Sequence, residues 1–303
     1  MLALSTCWNS SRHTNGEDML REILDLGFDH VELSHGLNVH MMDGVLKFAE
    51  HGKISITSLH NFCPQPIEVI SDSPDCYEFS SGREDIRRRA IKMTLQTLDY
   101  AEKLGVKRVV LHSGSISPMR GLTRELIGMV LGGQYLSRPY TNRKFQAVQE
   151  RERLSREYID CVVETLKPIV QIAGEKGIRL GIENRDSYEQ IPSEHEFPDF
   201  LDRLGPHCGY WHDFGHAQRK QNLSFIDHAD WLEKIGSRAI GCHLHDALWP
   251  VEDHRVPFTG DIDYHSLVPY LPKDIPYIIE LHPRRQAGDI VEAADRWREE
   301  FGA

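Results

Sequence analysis

Short apolar runs that close on a histidine or an acid recur along the chain, at 54–60, 109–112, 180–183, 210–213, 240–243 and 277–280. Between such runs lie segments with helical spacing that end in glycine, as at Leu26-Gly27, Leu104-Gly105, Lys176-Gly177, Leu204-Gly205 and Ile235-Gly236. Glycine there fits the left-handed residue that closes a helix. The runs are short and apolar throughout, the pattern of parallel strands buried on both faces. Counting 2–5, 31–33, 54–59, 109–111, 180–182, 210–211, 240–244 and 277–281, the pattern predicts eight strands, with room for a crossover helix between successive ones. Such a repeat predicts a (β/α)8 TIM barrel of class α/β. The last helix supports it, since Ile290, Val291, Ala294, Trp297 and Phe301 recur at helical spacing with charged residues between them.

A chain of 303 residues, 40% hydrophobic, is enough to bury the core of one large barrel. No Pro/Ser linker or low-complexity tract divides it, so residues 1–303 read as one domain. A net charge of −11 argues against nonspecific binding to nucleic acid or acidic membranes. No apolar stretch approaches the roughly 18 residues that span a bilayer. The six cysteines form no C-x-x-C pair, and residues 1–8 read as a strand rather than a secretory leader, so a reducing cytoplasm is the expected compartment. Residues 113–145, rich in Gly, Ser and Arg and without clear periodicity, are expected to form a partial lid.

A barrel brings the C-terminal ends of its strands to one mouth, so strand-end residues far apart in sequence become neighbours. Glu183, Asp213, His243 and Glu280 then supply three carboxylates and one imidazole. That hard set suits Mn2+, Mg2+, Co2+ or Zn2+, one per chain, rather than a structural thiolate zinc site. Arg12 follows the first strand, and Arg185 and Tyr188 the fifth, where barrel loops carry substrate contacts. His60 and His112 are either further ligands or hydrogen-bonded histidines of the barrel mouth. His245 is expected on the opposite face of its strand from His243.

The motifs at these positions are Leu-His-Asn-Phe-Cys-Pro (59–64), Val-Leu-His-Ser-Gly-Ser (110–115), Ile-Glu-Asn-Arg (182–185), His-Asp-Phe-Gly-His (212–216), His-Leu-His-Asp (243–246) and Ile-Glu-Leu-His (279–282). Together they resemble, over nearly the whole chain, the xylose-isomerase-like TIM-barrel superfamily, which holds sugar isomerases and epimerases and the endonuclease IV group (AP endonuclease family 2). The resemblance implies that Glu183 and Glu280 bind the metal and carry proton chemistry beside a bound ketose. It also implies that His216 contacts substrate, as in the epimerases, or binds a further zinc, as in the endonuclease group. His60, His112, His216, Glu252 and His254 match that group's additional ligands, which would raise the metal count to two or three. His254 also stands where some ketose epimerases have a substrate-binding arginine. The pattern departs from the endonuclease in having Glu252 for aspartate and Asp-Phe-Gly-His for Asp-Thr-Cys-His.

Two enzymatic functions follow. One is a divalent-metal-dependent isomerase or epimerase of a sugar, keto-sugar or polyol-derived ketone, with Glu183 and Glu280 as the acid/base pair. The other is a multinuclear zinc or manganese hydrolase or lyase acting on a phosphoester or glycoside. The expected partner is a small carbohydrate-like molecule, neither nucleic acid nor membrane. The resemblance also suggests a homo-oligomer. A barrel that only binds a carbohydrate or protein is disfavoured, because facing carboxylates without a cation are costly.

Overall fold

The computed structural model describes residues 1–69 and 74–302. Eight parallel strands close a barrel: β1 (Leu2–Ser5), β2 (His30–Leu33), β3 (Ser55–His60), β4 (Arg108–Leu111), β5 (Arg179–Glu183), β6 (Cys208–Asp213), β7 (Ala239–Leu244) and β10 (Tyr277–Ile279). Between β7 and β10 the chain adds an antiparallel hairpin of β8 (Asp246–Leu248) and β9 (Glu252–Arg255). β10 pairs with both β1 and β7, which removes the sheet edge. The helices are α1 (Gly16–Asp25), α2 (Met42–Glu50), α3 (Glu84–Lys103), α4 (Leu122–Leu131), α5 (Arg138–Glu175), α6 (Phe197–Leu204), α7 (Phe214–Asn222), α8 (His228–Ile235), α9 (Tyr264–Leu267) and α10 (Ala287–Phe301). The TIM barrel predicted from the repeat is therefore the fold that forms.

Two cores result. The outer one lies between strands and helices, where α10 buries Ile290, Ala294 and Trp297 as its spacing predicts. The inner one is a small floor of Ala3, Val110, Trp211, Ile240 and Ile278. Trp211 is fully buried, and its ring fits only because the neighbouring strands present glycines to it. A Cβ on Gly241 would stand 2.2 Å from the indole, and one on Gly181 2.8 Å. Gly241→Ala is expected to destabilise the protein by about 2–3 kcal/mol through overpacking, read as a lower urea midpoint; an unchanged midpoint would show that the floor can shift.

Residues 113–145 are not a structureless lid. α4 and the start of α5 occupy most of the segment, with Leu122, Leu126, Val130 and Tyr140 buried. The helical period is present, but Gly128, Gly132, Gly133 and Pro139 obscure it. Gly128 lies within α4 with open space where a Cβ would stand. Pro139 sits in the first turn of α5, where the missing N–H costs nothing, and Ser137 caps that turn by accepting from the Tyr140 N–H.

β6 is longer than the predicted 210–211 because His212 and Asp213 extend it as fully buried polar residues. Among the described residues no helix is long and apolar enough to cross a membrane.

Candidate metal centre

The C-terminal ends of the strands deliver the site. β3 ends on His60, β5 on Glu183 and β6 on Asp213; His243 is the penultimate residue of β7; His112 and Glu280 directly follow β4 and β10. All six are buried. Glu183 is the hub: its carboxylate lies 3.2 Å from His60 Nε2, 3.1 Å from His112 Nε2, 3.1 Å from His216 Nδ1 and 3.6 Å from His243 Nδ1. His243 Nδ1 is also 3.8 Å from Asp213 and 3.4 Å from Glu280, so three carboxylates converge on one nitrogen.

The hydrogen bonds on the far side of each ring decide what that convergence means. His243 Nε2 lies 3.2 Å from both oxygens of Glu32, which is buried and also accepts from Ser5 and Ser58. The Glu32 carboxylate accepts from Nε2–H, which turns Nδ1 toward the other three carboxylates, where among the described residues it has no hydrogen-bond partner; against its burial, Glu280, Glu32 and Glu183 hold the imidazole well above its usual value, so the position favours positive charge. His60 Nδ1 donates to the Asn61 carbonyl at 3.0 Å and His112 Nδ1 to Asp75 at 2.8 Å. The Nε2 atom of each ring is therefore the one turned to the Glu183 carboxylate. Imidazoles backed by a carboxylate on one nitrogen and turned toward carboxylates with the other form a common metal-holding arrangement, in which a cation can stand where positive charge is already favoured. Sets of candidate ligand atoms lying within 4.8 Å of one another include His60–His112–Glu183, Glu183–Asp213–His243, Asp213–His245–Glu280 and His216–His245–His254.

Electrostatics point the same way. Burial alone would raise Glu280, but His243 and then His254 outweigh it and hold the carboxyl down to about 2. Glu183 is likewise pulled well below the usual range, against its burial, by His112 and His243. Burial and the neighbouring His245 push His254 down to about 4, leaving a neutral imidazole at the mouth.

Behind Asp213 lies a buried polar relay. Asn184 accepts the Asp213 N–H at 2.7 Å and the Tyr210 hydroxyl at 2.8 Å, and donates to the Asp213 carbonyl. Tyr210 in turn meets Trp231 and His212, and His212 meets His228 at 3.1 Å. Burial pushes His228 down to about 3. Its unfolded value is near 6.5, so as pH falls below that value the unfolded chain takes a proton the folded protein refuses, and stability is lost progressively down to about pH 3. The cost at pH 5 is roughly 2 kcal/mol. His228→Gln is expected to flatten the pH dependence of the urea midpoint between pH 6.5 and 4 relative to wild type, and an equal slope would exclude His228 as its source.

The sequence-predicted residues divide. Glu183, Asp213, His243, Glu280, His60, His112, His216 and His254 come together. Arg185 joins them, with Nη1 3.3 Å from Glu183 and Nη2 3.5 Å from Asp75. Glu252 faces outward, half exposed and paired with Arg255 and Arg285. Arg12 lies over the Trp8 ring and pairs with Glu22. Tyr188 stacks on Phe225 at 4.1 Å, against a flank cavity also lined by Lys144 and Trp231.

His245 does not turn away from His243. Positions two apart share a strand face, and its imidazole lies 3.0 Å from Asp213. Glu32, Asp75 and Asn184 were not singled out by the sequence. Glu32, an acid within Val31-Glu32-Leu33, carries much the same signal as the other strand-end residues.

Comparison with known proteins agrees with this architecture. A family model described as xylose isomerase-like TIM barrel matches residues 20–301. The uncharacterized protein MJ1614 of Methanocaldococcus jannaschii is 24% identical over 267 residues, covering 88% of this chain and 85% of its own. Among solved structures, a D-tagatose 3-epimerase-like protein superposes with TM-score 0.70 at 19% identity, covering 99% of this chain and 98% of its own. The 3-keto-D-glucoside 4-epimerase of E. coli does so with TM-score 0.67 at 15% identity and 98% coverage of both chains. The IOLI protein, solved with a bound zinc atom, has TM-score 0.66 at 14% identity, covering 99% of this chain and 97% of its own. By the match over residues 20–301, the chain belongs to the xylose isomerase-like TIM barrel family.

Proposed function

We propose that the protein is a divalent-metal-dependent isomerase or epimerase of a sugar, keto-sugar or polyol-derived ketone. The observation that carries this reading is the convergence of Glu183, Asp213 and Glu280 on Nδ1 of His243, an atom that makes no hydrogen bond among the described residues. Those four side chains would hold the metal. The epimerase names of two structural neighbours and the zinc atom of a third favour the same chemistry.

Bound there, a divalent cation supplies positive charge that polarises a carbonyl and its neighbouring hydroxyl. Glu183 and Glu280, both ionised and both within 3.6 Å of the same nitrogen, would serve as the bases: either takes a proton from the carbon beside that carbonyl and, once protonated, is the acid that returns one. His216 and His254 offer neighbouring imidazoles for substrate hydroxyls, and Arg185 holds Glu183 from the side. Burial keeps bulk water from quenching the charge that develops next to the carbonyl.

The test is elemental analysis of protein purified without added metal or chelator, followed by assay of solvent deuterium uptake into free ketohexoses. About one Mn, Mg, Co or Zn per chain with metal-dependent uptake is the expected result. No metal after reconstitution, or uptake that survives chelation, would overturn the proposal.

A second reading, a multinuclear hydrolase or lyase, is favoured by the additional sets His60–His112–Glu183 and His216–His245–His254. It requires two or three metals per chain, and His112→Ala must then remove one equivalent and nearly all activity. Unchanged metal content in that variant counts against it.

A further inference from the structure

His245 is fully buried, and both of its ring nitrogens are engaged. Nε2 lies 3.0 Å from each oxygen of the Asp213 carboxylate. Nδ1 lies 2.9 Å from the backbone nitrogen of His254. A backbone N–H can only donate, so Nδ1 is the acceptor, and the neutral ring carries its proton on Nε2, where it is donated to Asp213. The tautomer is thereby fixed, with both nitrogens engaged by Asp213 and by the backbone of His254.

Room for this ring is made by Gly215. A Cβ at that position would fall 2.0 Å from His245 Cε1 and 2.2 Å from Nδ1, so any side chain there would displace the imidazole. The ring also stacks on His254 at 4.0 Å and 15°. His254 stands on β9 at a left-handed φ of 47°, and its carbonyl accepts from Arg285 Nε at 3.0 Å. The hairpin that carries His254 is thus pinned to the barrel mouth through His245 on one side and Arg285 on the other.

We propose that His245 is a positioning residue. It fixes the plane of the Asp213 carboxylate for a divalent cation, and it ties the β8–β9 hairpin to the metal centre through His254. Gly215 is the space that permits it. The inference rests on the metal reading above. A donor bridging both carboxylate oxygens stops the group from rotating, and partners of this kind, one step removed from the metal, are worth about 10–100-fold in metal affinity.

The two bonds can be separated, because an Asn side chain places its oxygen near the Nδ1 position and a Gln side chain places its amide N–H near the Nε2 position. Mn2+ titration, followed by the EPR signal of free Mn2+, reads both affinity and stoichiometry. His245→Asn is expected to weaken Mn2+ binding about 10–100-fold with the stoichiometry unchanged. His245→Gln is expected to recover much of that loss while speeding amide hydrogen exchange in residues 252–255. Gly215→Ala changes none of the candidate ligands and is expected to weaken binding as His245→Asn does, which keeps the test open should the Asn variant fail to fold.

Wild-type affinity in both His245→Asn and Gly215→Ala would overturn the inference alone. So would loss of one whole equivalent in both His245 variants with the remaining affinity intact, since that marks a direct ligand. A wild-type protein that binds no Mn2+, Co2+ or Zn2+ would overturn the metal reading and this inference with it.

Discussion

Glu280→Gln is expected to retain most of its metal yet lose exchange of the substrate's α-proton with solvent by about 10²–10⁴-fold. The amide keeps the size of the carboxylate and one ligand-type oxygen, so the substitution leaves the site's shape while removing the negative charge and the proton acceptor. Glu280 directly follows β10 and lies beside His243 Nδ1, at 3.4 Å, buried among charged groups. Its carboxyl is held down to about 2, burial notwithstanding, by His243 and His254. The group is therefore ionised throughout the neutral range, and the deficit of the variant should be the same at pH 6 and pH 8. The measurement is deuterium uptake at the carbon beside the carbonyl of a free ketohexose, followed by NMR, with metal content determined on the same samples. Exchange retained in a metal-loaded variant would remove Glu280 from the proton chemistry and leave it a ligand only.

The part of this site that was legible in the sequence is the part made by strands. A strand-end acid or histidine after a buried run marks a position whose direction the barrel fixes, and Glu183, Asp213, His243, Glu280, His60 and His112 were all readable that way. Glu32 carries a similar signal but stands inside a run of only three residues, at its middle rather than its end, so the pattern of run-closing acids passes over it. Its role as the carboxylate behind His243 follows from the closure of the barrel, which sets β2 against the ring of a residue on β7. The hairpin was not legible at all. Whether Glu252, Asp253 or His254 points inward depends on its turn and on the left-handed φ at His254, and nothing in the spacing of the motif specifies either. The structure turns Glu252 out to Arg255 and Arg285, while Asp253 meets Arg219 on α7. The helices in 113–145 were hidden for the opposite reason: a glycine tolerated inside α4 (Gly128), glycines that close it (Gly132 and Gly133) and a proline that starts α5 read as breakers when only local propensity is weighed.

Glu183→Ala is expected to cost the protein both its metal and about 3–5 kcal/mol of stability, the largest combined effect of any substitution at the site. The argument rests on what the carboxylate touches. His60, His112, His216 and His243 all place a nitrogen within 3.6 Å of it, and Arg185 stands at 3.3 Å. Truncation leaves these nitrogens around a buried gap without their shared carboxylate, and Arg185 loses the nearer of its carboxylate contacts and keeps that to Asp75. The same carboxylate belongs both to the set with His60 and His112 and to the set with Asp213 and His243. One substitution therefore removes a ligand from either metal position, which distinguishes it from His112→Ala, whose effect is confined to the outer set. If the protein holds one metal, Glu183→Ala abolishes binding while His112→Ala leaves it near wild type. If it holds two or three, Glu183→Ala strips at least two equivalents and His112→Ala one. Elemental analysis with a urea midpoint for each variant reads all four numbers. A Glu183→Ala protein with wild-type metal content would show that the convergence on Glu183 is an ion-pair network that holds the barrel mouth together, with no cation at its centre.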